Sequence, residues 1–373
     1  MTLTHVCSRW RRVGIETGEL WSTIIITFSI SQFQLALALT WLNRSRAYPL
    51  DLTFDIRDPR WSAGVGYDDQ DDGHPFQGDH LVPILRYFLP HVSRWRHFEL
   101  LTDTWDPIRA FLSLTWELRC APTILETLSL MRCNAYLAAE GQPFEPRAQR
   151  RPLPLFGGAK LPKLTALTLA GVHIDWTASL PALQGLTRLE LKFQAQDVMP
   201  TFAEYAAILN ASPHLEELAV GGWGPKLDPE DKTVLDLTAL RVLSISLINL
   251  DYTHNFLSHI RCPALETLCI DDLAKTLNEF KAIDLSPLIE WLLSPASPSS
   301  IPLHQITSLQ LGSVHTREEA SLMKLFTAMP AVREVSVKAV KEDVLVGLIS
   351  QESLPALQVV LPSPGKSPNE ISM

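Results

Sequence analysis

The sequence predicts an α/β fold of repeated strand–turn–helix units, with a curved parallel sheet on one face and helices on the other. The first observation is an apolar phrase, L-x-x-L-x-[LIV], that begins at Leu125, Leu164, Leu186, Leu215, Leu240, Leu265, Ile306 and Val332, and in frayed form at Leu357. The second is the interval between copies, which is 39, 22, 29, 25, 25, 41, 26 and 25 residues. The third is a proline two or three residues before most copies, which ends a preceding helix and favours an extended chain.

Intervals near 25 residues fall within the range of roughly 20–29 that is typical of leucine-rich repeats. In such a repeat the last two apolar positions of the phrase lie on a short strand and point inward, while the earlier position closes the turn into it. Stacked units then bury one continuous core. We therefore predict an irregular leucine-rich-repeat solenoid over residues 28–361, a type of array that usually binds another protein.

The same spacing occurs nearer the N-terminus, so the array is predicted to begin there. The phrases Trp21-x-x-Ile24-x-Ile26 and Ala47-x-x-Leu50-x-Leu52 match it, and Trp95-x-x-Phe98-x-Leu100 adds an irregular unit. The segments between phrases predict helices at Gln32 to Arg46, Leu81 to Leu89, Phe202 to Leu209, Leu277 to Leu293, Glu318 to Met329 and Asp343 to Ile349.

Three stretches interrupt the rhythm and are predicted to be surface insertions or mobile loops. Residues 58–79 are acidic and contain glycine, residues 134–158 combine arginines with prolines, and residues 294–302 are rich in serine and proline. The polar tail, 362–373, is predicted to be disordered.

Composition limits the class of protein. A hydrophobic content of 46% is ample for a folded core, and a net charge of −9 argues against nucleic acid as a partner. Five scattered cysteines form no disulfide framework, so we expect reduced thiols and an intracellular protein, cytoplasmic or nuclear. The arginine-rich start also resembles a mitochondrial transit peptide, an alternative that we consider weaker.

A stretch of 24 uncharged residues between Glu19 and Arg44 is long enough to cross a bilayer. Polar residues from Ser29 to Gln34 cluster at its middle, where they are most costly in a membrane. The stretch also divides into a strand-like and a helix-like half. We therefore expect no membrane association.

Residues 3–26 read LTHVCSRWRRVGIETGELWSTIII. This segment resembles the second half of an F-box, as in the F-box/leucine-rich-repeat proteins of mushroom-forming fungi. The family pattern is a Val-Cys-x-x-Trp helix, matched by Val6, Cys7 and Trp10, and then a Leu-Trp pair, matched by Leu20 and Trp21. The phrases Trp41-Leu42-Asn43-Arg44-Ser45, Pro49-Leu50-Asp51-Leu52 and Ser93-Arg94-Trp95 extend the resemblance over the first hundred residues.

The resemblance implies that residues 1–27 are a partial, helical F-box that contacts the Skp-type adaptor of a cullin-RING ubiquitin ligase. The contact residues implied are Leu3, Val6, Cys7, Trp10, Leu20 and Trp21. The Leu-Pro-x-Glu helix that opens the family pattern would lie before the first residue, so we expect its half of the F-box to be missing. Because Leu3, Val6 and Trp10 share one helical face, packing against the first repeat is an equal alternative to adaptor contact.

Catalytic and metal-binding motifs are not found in the sequence, which predicts no enzyme activity, no metal and no cofactor. The nearest approach to a calcium loop is Asp68-Asp69-Gln70-Asp71-Asp72-Gly73-His74. Its third position is Gln70 and its twelfth is Asp79, which is a poor match, so we interpret it as a solvated acidic loop. Cys133 and Cys262 are predicted to be structural.

Strand alternation places one row of residues on the outward face of the sheet, where we predict that a protein substrate binds. Its predicted members are Ser129, Thr168, Glu190, Ala219, Ser244, Cys269, Gln310 and Ser336. Most are small, which lets a partner approach the backbone closely. A merely solvated surface is the alternative.

Together these features predict the substrate-recognition subunit of a cullin-RING ubiquitin ligase. The alternative is a ligase-independent interaction scaffold with a vestigial F-box.

Overall fold

Strands and helices alternate along the chain in a computed structural model, which describes residues 7–61, 73–118, 120–133, 142–228, 232–273, 282–294, 301–317, 319–338 and 358–360. The helices are α1 (Ser8–Glu16), α2 (Gln32–Arg44), α3 (Gly78–Phe88), α4 (Asp106–Trp116), α5 (Trp176–Ser179), α6 (Phe202–Asn210), α7 (Leu250–Ser258), α8 (Ser286–Leu293) and α9 (Glu319–Thr327). A 3-10 helix at Gly18–Trp21 follows α1. The chain divides into two compact units, Met1–Pro213 with Trp223–Lys226, and His214–Gly222 with Leu227–Met373.

The first unit contains a parallel sheet whose strands stand side by side in chain order. They are β1 (Thr23–Thr27), β2 (Leu50–Asp55), β3 (Trp95–Thr102), β4 (Thr127–Arg132), β5 (Ala166–Ala170) and β6 (Arg188–Lys192). Two inward rows of apolar side chains align in register across them. One row is Ile24, Leu52, Phe98, Leu128, Leu167 and Leu189, and the other is Ile26, Phe54, Leu100, Leu130, Leu169 and Leu191. All are buried, so these rows form the core on the inner face of the sheet.

The second unit repeats this arrangement of parallel strands. Its strands, in order, are β7 (Glu217–Gly221), β9 (Val242–Leu247), β11 (Thr267–Asp272), β12 (Ser308–Gly312), β13 (Glu334–Lys338) and β14 (Gln358–Val360). A separate pair, β8 (Leu235–Asp236) and β10 (Ile260–Arg261), forms a small parallel ladder. The inward positions of β7 to β13 are buried leucine, isoleucine and valine.

The repeat phrase therefore has the predicted packing. Every apolar position of the eight full copies that begin between Leu125 and Val332 is buried. Parallel strands with helical connections confirm the predicted α/β class. The frayed copy at Leu357 lies outside the described residues except for β14.

The predicted phrase at Ala47 is out of register by two residues. The residues of β2 that align with Ile24 and Ile26 of β1 are Leu52 and Phe54, not Leu50 and Leu52. The register between β2 and β3 shifts between Leu50 and Asp51. Because Leu50, Leu52 and Phe54 all point inward, alternation alone could not choose between the two alignments.

Most of the predicted helices are found. Helices α2, α3, α6 and α9 begin within about one turn of their predicted starts. Helix α8 begins at Ser286, nine residues after the predicted start at Leu277. A capping box opens α6: Thr201 Oγ1 accepts a hydrogen bond from Glu204 N, and Glu204 Oε2 accepts one from Thr201 N. Helices α4 and α7 were not predicted, although Pro107 in the first turn of α4 is a usable signal.

Two of the predicted surface insertions are in part packed against the core. Within 58–79, His74 and Phe76 are buried and Gly78 begins α3, while 62–72 lie outside the described residues. Within 134–158, Phe144 and Leu155 are buried, while 134–141 lie outside the described residues. Large apolar side chains among the prolines of the second stretch account for its burial. Residues 295–300 and the tail 362–373 also lie outside the described residues.

No helix in the described ranges is both long and apolar enough to cross a bilayer. The 24-residue uncharged stretch forms the 3-10 turn, β1 and most of α2 instead.

Candidate functional site

The predicted outward row exists in the first unit. Register places Ser129 of β4 beside Thr168 of β5, and Thr168 beside Glu190 of β6. All three are half-buried. The row also continues into strands that the prediction did not include, through Glu99 of β3 and Thr53 of β2. The phrase containing Phe98 and Leu100 already pointed to Glu99.

The second unit carries a row of its own at the equivalent position. Ala219, Ser244, Cys269, Gln310 and Ser336 occupy neighbouring places in register on β7, β9, β11, β12 and β13. Gln310 is exposed and the others are half-buried. Each predicted member therefore occupies the outward position of its strand, in both units.

The outward face of the first unit is polar, and its charges pair locally. Thr168 Oγ1 donates to Glu190 Oε2 at 3.5 Å, and Lys192 Nζ lies 2.5 Å from Glu190 Oε1. Thr53 Oγ1 likewise donates to Glu99 Oε2 at 3.3 Å. The carboxylates of the row thus accept from neighbouring threonines, which fixes their direction along the sheet.

Two arginine–aspartate pairs flank this row on either side. The guanidinium of Arg96 donates to both oxygens of Asp51, at 2.9 and 2.6 Å, and that of Arg57 donates to both oxygens of Asp55, at 2.7 Å each. These bonds raise the pKa of each arginine, against an opposing effect of burial. Bidentate pairs of this kind hold planar groups in fixed orientations. A partner that approaches the face therefore meets an ordered pattern of donors and acceptors.

Beyond the carboxyl end of β3 lies a buried ionic network that the sequence did not reveal. Asp103 Oδ2 accepts from Asp58 N at 2.6 Å and lies 2.9 Å from His74 Nε2, while His74 Nδ1 lies 2.9 Å from the Phe76 carbonyl oxygen. Burial lowers the pKa of His74, but the bonds to Asp103 and Phe76 outweigh it, so the pKa is raised. His74 is therefore buried, although it was predicted to belong to a solvated acidic loop. Residues 68–72 of that loop lie outside the described residues.

The N-terminal candidates separate into exposed and buried residues. Cys7 is the N-cap of helix α1, and its Sγ accepts a hydrogen bond from Trp10 N at 3.5 Å. Trp10 is 52% exposed, and Val13 and Leu20 are also exposed. Trp21 is buried instead, so its side chain packs within the chain. Leu3 and Val6 lie outside the described residues.

Trp21 is held on several sides. Its indole packs edge-on against Trp41 with ring centroids 6.0 Å apart, and the guanidinium of Arg44 lies 4.4 Å above its ring. Both partners belong to α2, so the residues of the Trp-Leu-Asn-Arg phrase support this tryptophan. Cation–π and edge-to-face contacts of this kind are each worth about 1 kcal/mol.

The cysteines occupy the predicted kinds of position. Cys262 is fully buried, which raises the pKa of its thiol to about 12. Cys133 is half-buried, its N–H donates to the Thr102 carbonyl oxygen at 2.7 Å, and burial raises the pKa of its thiol to about 11. Thiols with raised pKa values are poor nucleophiles at neutral pH, as expected for structural cysteines.

Metal-ligating groups do not converge in the described ranges: no set of three or more His, Cys, Asp or Glu side chains there is placed to hold an ion. No protein-family model and no curated protein matches the chain.

Proposed function

We propose that this protein is the substrate-recognition subunit of a cullin-RING ubiquitin ligase, acting in the cytoplasm or nucleus. In this proposal the parallel strands of both units are repeats of an irregular leucine-rich-repeat solenoid. The outward face of the strands binds a protein substrate. The N-terminal segment is the second half of an F-box and contacts a Skp-type adaptor. Leu3, Val6, Cys7, Trp10 and Leu20 belong to that contact, and Trp21 supports it from within.

The observation that carries the proposal is the exposure of apolar side chains at the positions where the resemblance places the adaptor. Two of the implied contact residues, Trp10 on α1 and Leu20 on the following turn, are exposed. Val13, one turn after Trp10 on α1, is not an implied contact residue but is exposed as well. Clustered exposed apolar residues mark interaction surfaces. Tryptophan is also enriched among the residues that dominate binding energy at interfaces.

The mechanism would be positioning. The adaptor-bound N-terminal segment fixes the chain on the ligase, and the outward rows hold a substrate within reach of the ubiquitin-carrying partner. Holding both reactants on one assembly raises their effective concentration, which accelerates a transfer performed by other subunits. The small residues Ser129, Thr168 and Ser244 let a substrate backbone approach the strands closely.

Adaptor binding is tested by co-purification of the full chain with a recombinant Skp-type adaptor. We expect the unmodified chain to retain adaptor and Trp10→Ala to lose at least tenfold in affinity, since an interface tryptophan is worth about 2 kcal/mol or more. Trp116→Ala is the matched control, because Trp116 is 50% exposed and lies on α4. Equal retention by both variants would show that Trp10 is not in the contact.

Substrate binding on the outward row is tested by comparing the proteins captured by Ser129→Arg and by Ser93→Arg. Ser129 lies in the row, while Ser93 is exposed in the turn before β3. Both changes add the same charge and volume. We expect Ser129→Arg alone to lose specific partners of the unmodified chain.

The second candidate is an interaction scaffold that works without a ligase. The burial of Trp21 favours it, because one residue of the Leu-Trp pair has an intramolecular role that needs no adaptor. Under this alternative the substrate-face variant still loses partners, but neither the unmodified chain nor Trp10→Ala binds the adaptor.

A further inference from the structure

Strand β1 is the terminal strand of the sheet in the first unit. Among the described residues it pairs with β2 alone, which leaves its other edge open. Its sequence, Thr-Ile-Ile-Ile-Thr, reads the same in both directions and contains neither charge nor proline. Exposed edges are usually blunted by lysine, proline or a bulge, because an open edge is a template for another strand. Strand β1 carries none of these.

The direction of the peptide groups shows which residues face the open edge. Asp51 N donates to Ser22 O at 3.0 Å, and Phe28 N donates to Asp55 O at 2.8 Å. Peptide groups alternate in direction along a strand, so the even-numbered residues from 22 to 28 face β2. The peptide groups of Thr23, Ile25 and Thr27 therefore face the open edge.

Gln34 already covers one of these three. In the orientation of its amide that satisfies both groups, its nitrogen donates to Thr27 O at 3.0 Å and its oxygen accepts from Thr27 N at 3.1 Å. The side chain thus takes the place of a peptide unit in a neighbouring strand. Thr23 and Ile25 remain available for pairing.

Apolar side chains are exposed on both layers beside this edge. Ile25 is 56% exposed on the outward face of β1. On α2, Phe33 and Leu37 are exposed and stand one turn apart, and Leu37 follows Gln34 by three residues on the same side of the helix. An interface along the edge would cover all three.

We propose that a second copy of this chain pairs with β1 as an antiparallel strand across a two-fold axis centred on Ile24. Thr23 of each copy then lies opposite Ile25 of the other, and each such pair exchanges both of its backbone hydrogen bonds. A two-fold contact needs a self-complementary surface, and two identical strand edges that pair antiparallel about one axis provide it. This register leaves Gln34 in place, keeps both outward residues outward, and brings α2 of the two copies together on one side. A register centred on Ile25 would displace Gln34 from Thr27.

The oligomeric state of the full chain tests this proposal. A single strand pair with flanking contacts is a small interface, so we expect a reversible dimer that forms between about 1 and 200 μM in sedimentation velocity. Ile25→Lys should weaken dimerisation at least tenfold by placing charge in the pairing. Val234→Lys is the matched control, because Val234 is a β-branched residue that is 50% exposed in the second unit, and should leave the dimer unchanged.

The register has its own test. In the double variant Thr23→Glu/Ile25→Lys, the new glutamate of each copy lies opposite the new lysine of the other, so dimerisation should recover towards the unmodified level. An unmodified chain that stays monomeric up to about 200 μM would overturn the proposal. A dimer of equal strength in Ile25→Lys would also overturn it. Recovery in a mixture of Ile25→Lys and Ile25→Glu chains, without recovery in the double variant, would overturn the Ile24-centred register.

Discussion

The indole Nε1 of Trp21 donates a hydrogen bond to the main-chain carbonyl oxygen of Gly14 across 2.7 Å. Gly14 lies in the last turn of α1, where carbonyl groups have no partner within the helix. The indole therefore satisfies one of these carbonyls while its ring packs against α2. A residue that resembles part of a binding motif is thus a structural link between α1 and α2.

This link predicts that the two N-terminal tryptophans contribute very differently to the free energy of unfolding. Trp21→Ala should lower the free energy of unfolding by about 3–5 kcal/mol, because it removes a buried ring and leaves a carbonyl without its donor. Trp10→Ala should change it by less than about 0.5 kcal/mol, since its side chain is exposed. Denaturant titration followed by circular dichroism measures both. Comparable losses in the two variants would mean that Trp10 is packed in solution.

The capping box of α6 gives a second prediction. Thr201→Ala removes the hydroxyl that accepts from Glu204 N, so the free energy of unfolding should fall by about 1 kcal/mol. Thr201→Ser keeps the acceptor and should retain most of the stability. Thermal unfolding of the two variants beside the unmodified chain distinguishes them. A serine variant as unstable as the alanine variant would show that the methyl group, not the cap, is responsible.

Local periodicity in the sequence was enough to predict which positions of the repeat are buried and which face outward. Each apolar position of the repeat phrase from Leu125 onward is buried, and the outward row follows from the same alternation. The phrase fails at β2, where Leu50, Leu52 and Phe54 are equally apolar and a register shift decides the alignment. Periodicity cannot supply an irregularity of that kind.

Contacts between residues distant in sequence were beyond the prediction. His74 and Asp103 are 29 residues apart, and the acidic run before His74 indicated a solvated loop rather than a buried pair. Phe144 lies among prolines and arginines that indicated a surface insertion, yet its backbone N–H donates to Asp197, 53 residues later. Such pairs depend on how the connections fold over the strand ends, which local pattern does not encode.

His74 makes the stability of the first unit dependent on pH. Its pKa in the folded chain is raised above the ordinary value near 6.5, because the bonds to Asp103 and Phe76 outweigh burial. The stabilisation is therefore complete below about pH 6.5 and is lost as the pH rises through the folded pKa. We expect the unfolding midpoint of the unmodified chain to fall as the pH rises above this value. His74→Gln should remove this component, and an unchanged pH dependence in that variant would contradict the assignment.

His173 produces the opposite dependence, on the acid side. Its ring stacks on Trp105 with centroids 4.6 Å apart and meets Phe144 edge-on at 4.2 Å. Its Nε2 lies 2.9 Å from the Arg150 carbonyl oxygen, and its Nδ1 has no hydrogen-bond partner among the described residues. Burial lowers the pKa of His173 to about 4, against opposing contributions from Arg150 O and Asp197.

Because the folded pKa of His173 lies below the unfolded value near 6.5, its stabilisation is complete above that pH and is lost as the pH falls towards 4. The loss amounts to roughly 3 kcal/mol across that interval. His173→Phe keeps an aromatic ring in the stack and cannot be protonated, so its unfolding free energy should vary less between pH 7 and 4. The exposed His304 provides the control, since His304→Gln should keep the slope of the unmodified chain. Equal slopes in His173→Phe and the unmodified chain would assign the acid sensitivity to other groups.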